Sequence, residues 1–160
     1  MKAIVFEEHG GVEKLRYTDF PTPEPAENEC LVRVKAVALN GFDPMILNKI
    51  PGLKTPLPMI PGGDVAGEIA SFGAGDPGQW KTGDRVLVDP LMIAKGGVLG
   101  ETVIGGAAEY VAVPLANLIA IPEAQKAGPV LCVGSDVHFL TRVNRVPILP
   151  SPYRHLANLR

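Results

Sequence analysis

Residues 61–75 read Pro61-Gly62-Gly63-Asp64-Val65-Ala66-Gly67-Glu68-Ile69-Ala70-Ser71-Phe72-Gly73-Ala74-Gly75, and after a short linker Gly83-Asp84-Arg85-Val86-Leu87-Val88 answers them. Two β-type runs, 65–72 and 85–88, are set off by glycines of the kind a tightly turning backbone needs, and one carboxylate, Asp64, sits at the mouth of the first. The pattern calls for a strand pair, and the rest of the chain is placed around it.

Within the linker, Gly73-Ala74-Gly75-Asp76-Pro77-Gly78 matches the GxGxxG dinucleotide fingerprint letter for letter. The fingerprint works only where its third glycine opens a helix that holds pyrophosphate and crosses over to a parallel strand. Gln79 to Thr82 leave no room for that helix before Gly83, so a Gly/Pro hairpin-like loop is expected instead. Val130 to Ser135 resembles the entry to a Rossmann unit, but no later glycines complete it.

Upstream, strands are expected at 3–6 and 15–20, followed by an extended connection through Pro21, Pro23 and Pro25. Residues 30–37 alternate, with Cys30, Val32, Val34 and Ala36 on one face and Arg33 and Lys35 on the other, as in a half-buried strand. Asp43 followed by Pro44 reads as a helix N-cap with proline at the first helical position. Pro51, Pro56, Pro58 and Pro61 then carry an irregular loop to the opening stretch. Downstream, 89–105 reads as a long, glycine-rich loop, which in a compact domain is more often functional than accidental. Strands follow at 107–113 and 118–121, and alternation places Tyr110 with Ala108 and Ala112 on a packed face.

Composition agrees with a β fold: 46% hydrophobic and 20% charged residues are ordinary for a globular domain, while 18 glycines and 16 prolines with few aromatics favour many turns. No apolar run approaches the roughly 18 residues of a membrane span, and Met1 to Phe6 is too short for a signal-peptide core. A cytoplasmic protein with no membrane partner is the expectation. Cys30 and Cys132 have no His or Cys near them, so they read as reduced, inert thiols. Residues 1–123 hold 10 Lys and Arg against 16 Asp and Glu, whereas 124–160 hold 5 against 1 and cluster their prolines in Val143 to Pro152. The tail is expected to be poorly ordered or loosely docked, with one weak helix at 153–159. Its charge is too small to argue for nucleic acid.

Met1-Lys2-Ala3, Ala38-Leu39-Asn40-Gly41-Phe42-Asp43, Pro61 to Gly67, Gly83-Asp84-Arg85-Val86 and Gly105-Gly106-Ala107-Ala108-Glu109-Tyr110-Val111-Ala112-Val113-Pro114, in that order, carry a resemblance. Over residues 1–123 the chain resembles the medium-chain dehydrogenase/reductase superfamily, in its zinc-free quinone oxidoreductase-like branch. The resemblance implies a mainly β fold, a chaperonin-10 (GroES)-like irregular β-barrel with a few short helices, which in the family precedes an NADPH-binding Rossmann domain. It implies NADPH as cofactor, a small quinone or carbonyl substrate, and is consistent with a homo-oligomer. In the zinc enzymes of the family a Cys ligand and a Gly-His-Glu occupy slots that here look to be Asn40 and Gly62-Gly63-Asp64. A catalytic zinc takes three protein ligands, and only Asp64 remains, so no zinc is expected.

Candidate site residues are therefore Asn40, Asp43 and Asp64. By resemblance the Asn40 amide faces the nicotinamide and substrate; the alternative is that it satisfies backbone groups in the turn before the helix. Asp43 is accounted for as an N-cap. Asp64 holds a polar network, acts in proton delivery, or caps its own strand turn by bonding local amides. Only 37 residues follow Glu123, too few for a set of βαβ units, so the expectation is a chain that lacks the Rossmann domain through truncation or frameshift. Two functions stand: the catalytic domain of a reductase, inactive without its cofactor domain, or a stand-alone non-enzymatic β-barrel that binds a small ligand or a protein partner.

Overall fold

The computed structural model describes residues 1–121. The strands among them are β1 (Lys2–Val5), β2 (Arg16–Asp19), β3 (Glu29–Ala38), β4 (Asp64–Phe72), β5 (Arg85–Val88), β6 (Leu91–Met92), β7 (Gly97–Val98), β8 (Tyr110–Pro114) and β9 (Leu118–Ala120), with one α-helix, α1 (Phe42–Leu47), between β3 and β4. The boundary expected after residue 123, the tail and its weak helix lie outside the described residues, as does Cys132.

Strands β8-β3-β4-β5-β9 form one antiparallel sheet, and β1-β2 and β6-β7 form two small ones. The fold is mainly β with short helical turns, as expected. The opening stretch supplies its centre: β4 pairs with β3 on one side and with β5 on the other. Because β4 and β5 are antiparallel, the GxGxxG look-alike between them is a hairpin connection with no crossover helix.

One face of this sheet is apolar because the alternating positions converge there. Cys30 and Val32 of β3, Val65 and Ile69 of β4, Val86 and Val88 of β5, and Val111 and Val113 of β8 form the main buried cluster. Phe6, Ile46, Leu47 and Met59 form a second one under α1, which seats the helix against the N-terminal segment. Burial of side chains of this size contributes about 1.5–3 kcal/mol each.

Two local expectations need correction. Tyr110 is only partly buried, because β8 turns Val111 and Val113 inward; its ring instead lies beneath the Arg33 guanidinium at 5.7 Å. Residues 89–105 are not a featureless loop but contain the β6–β7 hairpin, with Met92 buried between its exposed neighbours. Two long-range ties hold this hairpin that no periodicity announces. Asn117 Nδ2 donates to the Asp89 and Leu91 carbonyls at 2.9 Å each, and Lys95 Nζ reaches the Ala112 carbonyl at 3.1 Å and Glu29 at 2.8 Å. The Lys95 ammonium thereby also covers part of the β8 edge, where unpaired backbone would otherwise invite another strand.

Candidate active site

The site forms where β3 ends and β4 begins. Antiparallel register sets Ala38 opposite Asp64, so the residues just beyond β3 lie beside the start of β4 although 24 positions separate Asn40 from Asp64. Asn40 Nδ2 donates to Asp64 Oδ2 at 2.9 Å. A carboxylate only accepts, so this bond fixes the amide orientation and turns Oδ1 the other way, where it is buried and meets no donor among the described residues.

Asp43 does not do what the sequence reading assigned to it. Helix α1 starts two residues earlier, with Gly41 at the N-cap and no side-chain cap, and Asp43 stands inside the first turn. From there its carboxylate reaches outward: Oδ2 accepts the Asn40 backbone N–H at 2.6 Å and Oδ1 the Gly62 N–H at 2.9 Å. The N-cap expectation is therefore replaced by a bridge between the loop after β3 and the loop before β4. Those are the two segments that carry Asn40 and Asp64.

An open cleft of about 260 Å³ runs over this arrangement. Asn40, Asp43 and Asp64 all line it, so the structure brings together the three residues expected to matter. Sequence reasoning missed much of the remaining wall. Phe42 and Ile46 of α1, Gly63, Pro90, and Val98 at the end of β7 with Leu99 to Glu101 beyond it complete the wall, and the only signal for that last segment was an unusually long glycine-rich loop. Packing there is backbone on backbone: a Cβ added to Gly63 would stand 2.9 Å from the Leu99 carbonyl oxygen. That leaves position 63 without room for a side chain. No three His, Cys, Asp or Glu side chains among the described residues converge as a metal-binding group.

Cys30 lies far from this chemistry in character, fully buried within the sheet, and burial together with the neighbouring Glu29 charge pushes its thiol up to about 12. It is inert at neutral pH. His9 bonds the Ile46 carbonyl through Nδ1 at 3.1 Å and serves the end of α1 rather than the cleft.

The family model described as the alcohol dehydrogenase GroES-like domain matches residues 26–123. The chain belongs to that family. It is the N-terminal domain type of the medium-chain dehydrogenase/reductase superfamily, and the relatives it matches carry the names of oxidoreductases. A quinone-oxidoreductase homolog, chloroplastic, of Spinacia oleracea is 35% identical over 135 residues, covering 75% of this chain and 40% of the relative. An NADPH-dependent alkenal/one oxidoreductase, chloroplastic, of Arabidopsis thaliana is 34% identical over 148 residues, covering 89% of this chain and 37% of the relative. A crystal structure of an NAD-dependent alcohol dehydrogenase superposes with a TM-score of 0.70 at 34% identity, over 79% of this chain and 41% of the other. The chain thus spans about 40% of the length of these GroES-like-domain relatives.

The expectation of a cytoplasmic protein does not stand, since both of these plant relatives are named chloroplastic. The reading rested on the lack of a long apolar segment, and plastid transit peptides are amphipathic and Ser- and Arg-rich rather than apolar. Hydropathy was the wrong instrument for that question.

Proposed function

We propose that residues 1–123 form the substrate-binding domain of a zinc-free reductase that uses NADPH to reduce quinones, enones or related carbonyl compounds. The observation that carries the proposal is the Asn40–Asp64 pair on the cleft wall, with its buried, donorless Oδ1. An unpaired buried acceptor costs about 1–3 kcal/mol, and such groups call for a reason beyond folding. The names of the plant relatives support the quinone and enone substrate class, and the end of the family match at residue 123 supports the domain boundary.

The donors present do not fit a catalytic zinc. Both Asp43 oxygens are taken by backbone N–H groups, Asn40 is a neutral amide already bonded to Asp64, and Gly63 has no room for a ligand side chain. For a nicotinamide the fit is better, because Asn40 brings a neutral amide, held by Asp64, to the cleft lining. When bound, the reduced nicotinamide supplies the hydride. The chain's own residues supply geometry: Asp43 locks the two loops, Asp64 fixes the Asn40 amide, and Phe42, Ile46 and Leu99 give the open cleft an apolar wall.

The test is a ¹⁵N NMR titration of the full chain with cyclohex-2-enone, then with NADPH or NADH added. Shifts at the Asn40 side-chain amide and the Gly63 and Gly100 backbone, lost in Asn40→Leu, are expected, with a further change at Asn40 on adding NADPH. Enone that leaves these resonances unmoved overturns the site. Stoichiometric metal in protein purified without chelator overturns the zinc-free part.

A further inference from the structure

The cleft has a one-sided charge. Three carboxylates line it, Asp43, Asp64 and Glu101, and no Lys, Arg or His among the described residues does. Asp43 is held by two backbone N–H groups and Asp64 by the Asn40 amide, which are neutral partners and leave the net charge in place. Glu101 has no side-chain hydrogen bond or ion pair among the described residues, where the ion pairs Lys2–Asp19, Lys14–Glu8, Lys35–Glu68 and Lys95–Glu29 all involve other acids. The remaining lining is largely apolar, from Phe42, Ile46, Pro90, Val98 and Leu99. Apolar walls lower the local dielectric and strengthen the field of fixed charges in a concave site.

We infer that this cleft selects by charge: it takes neutral or cationic carbonyl compounds and rejects those bearing a carboxylate or phosphate, with Glu101 as a specificity-determining residue. The inference rests on the reading of the cleft as the substrate site and adds to it the class of substrate. Among the described residues, an anionic group inside the cleft meets three like charges and no counter-ion, and discrimination of this kind works through the repulsive element as much as the attractive one. Glu101 is the member of the set that can be altered without loosening the site, because Asp43 and Asp64 also hold the loops together.

Three unreactive ketones of one shape test this on the full chain: acetophenone, 4-acetylbenzoate and (4-acetylphenyl)trimethylammonium, titrated by ¹⁵N NMR at low and high salt. The neutral and cationic ketones are expected to shift Gly63 and Gly100, while 4-acetylbenzoate binds at least about tenfold more weakly at low salt. That gap narrows at high salt, since exposed charges are screened over about 10 Å at 0.1 M. It narrows also in Glu101→Gln, whose thermal unfolding is measured alongside to show that the fold is intact. Equal binding of all three ketones overturns the charge selection and leaves the cleft standing. A gap that neither salt nor Glu101→Gln changes overturns the role of Glu101. Binding by none of the three overturns the substrate-site reading itself, and the inference with it.

Discussion

Replacing Asp43 by alanine separates two accounts of what that carboxylate does. If it were an N-cap, its loss would cost about 1 kcal/mol, the usual value for removing a capping side chain. The structure instead gives it two backbone donors on different loops, the Asn40 N–H at 2.6 Å and the Gly62 N–H at 2.9 Å. Hydrogen bonds to a charged group contribute about 1.5–3 kcal/mol each, and leaving a buried donor unpaired costs about 1–3 kcal/mol. Gly62 is buried, so its N–H pays most of that penalty, whereas the Asn40 loop is partly exposed and water replaces part of what is lost there. The net expectation is a destabilisation of about 2–4 kcal/mol, read as a lower urea midpoint at unchanged slope, together with faster hydrogen exchange at Gly62. Asp43→Asn is the informative control, because its amide can accept only one of the two N–H groups while its NH₂ opposes the other. It should keep less than half of the stabilisation. A loss of about 1 kcal/mol in Asp43→Ala, with Asp43→Asn neutral and Gly62 exchange unchanged, would refute the bridge and restore the cap.

Other outcomes follow from single measurements. Gly62 has φ of +92° and a Cβ there would stand 2.6 Å from Val37 Cγ2, so Gly62→Ala should cost about 2–4 kcal/mol from backbone strain and overpacking combined. Gly78→Ala, at φ +60° with nothing within 4 Å, should cost only about 1–2 kcal/mol, and equal losses in the two would contradict the packing argument. The Cys30 thiol is raised from 9.0 to about 12, so the folded state keeps a proton that the unfolded chain releases. Its contribution to stability is therefore full below pH 9 and is lost as pH rises from there towards 12. In a Cys132→Ser background, Cys30 should resist thiol reagents at pH 8 until the protein is unfolded; prompt labelling of native protein would show that the strand opens readily.

Much of the fold was legible because its signals are local. Alternation in 30–37, the apolar run 65–72 and the short run 85–88 marked β3, β4 and β5 to within two residues, since one buried face imposes a period of two on each strand. Tyr110 was misread because alternation gives two faces but not which of them is inward; Val111 and Val113, packing on Cys30 and Val32, decided that. The β6–β7 hairpin escaped because each strand is only two residues long and is held by Asn117 and Lys95, both distant in sequence.

The candidate site divides along the same line. Asp43 and Asp64 stood out in the sequence beside a proline and glycines, Asn40 through the family resemblance; the mainly β character followed from composition and turn spacing, and its GroES-like form from that same resemblance. What they do to one another was set by the tertiary structure. Antiparallel register brings Ala38 opposite Asp64 and so delivers Asn40 to the carboxylate, and helix α1 turns Asp43 away from its own N-terminus towards Gly62. The closing wall at Leu99 to Glu101, and with it the third carboxylate of the cleft, belongs to a loop whose place depends on contacts across the sheet. A hydrogen bond between residues 24 positions apart has no local sequence signature, because it depends on the backbone path between them rather than on the residues themselves.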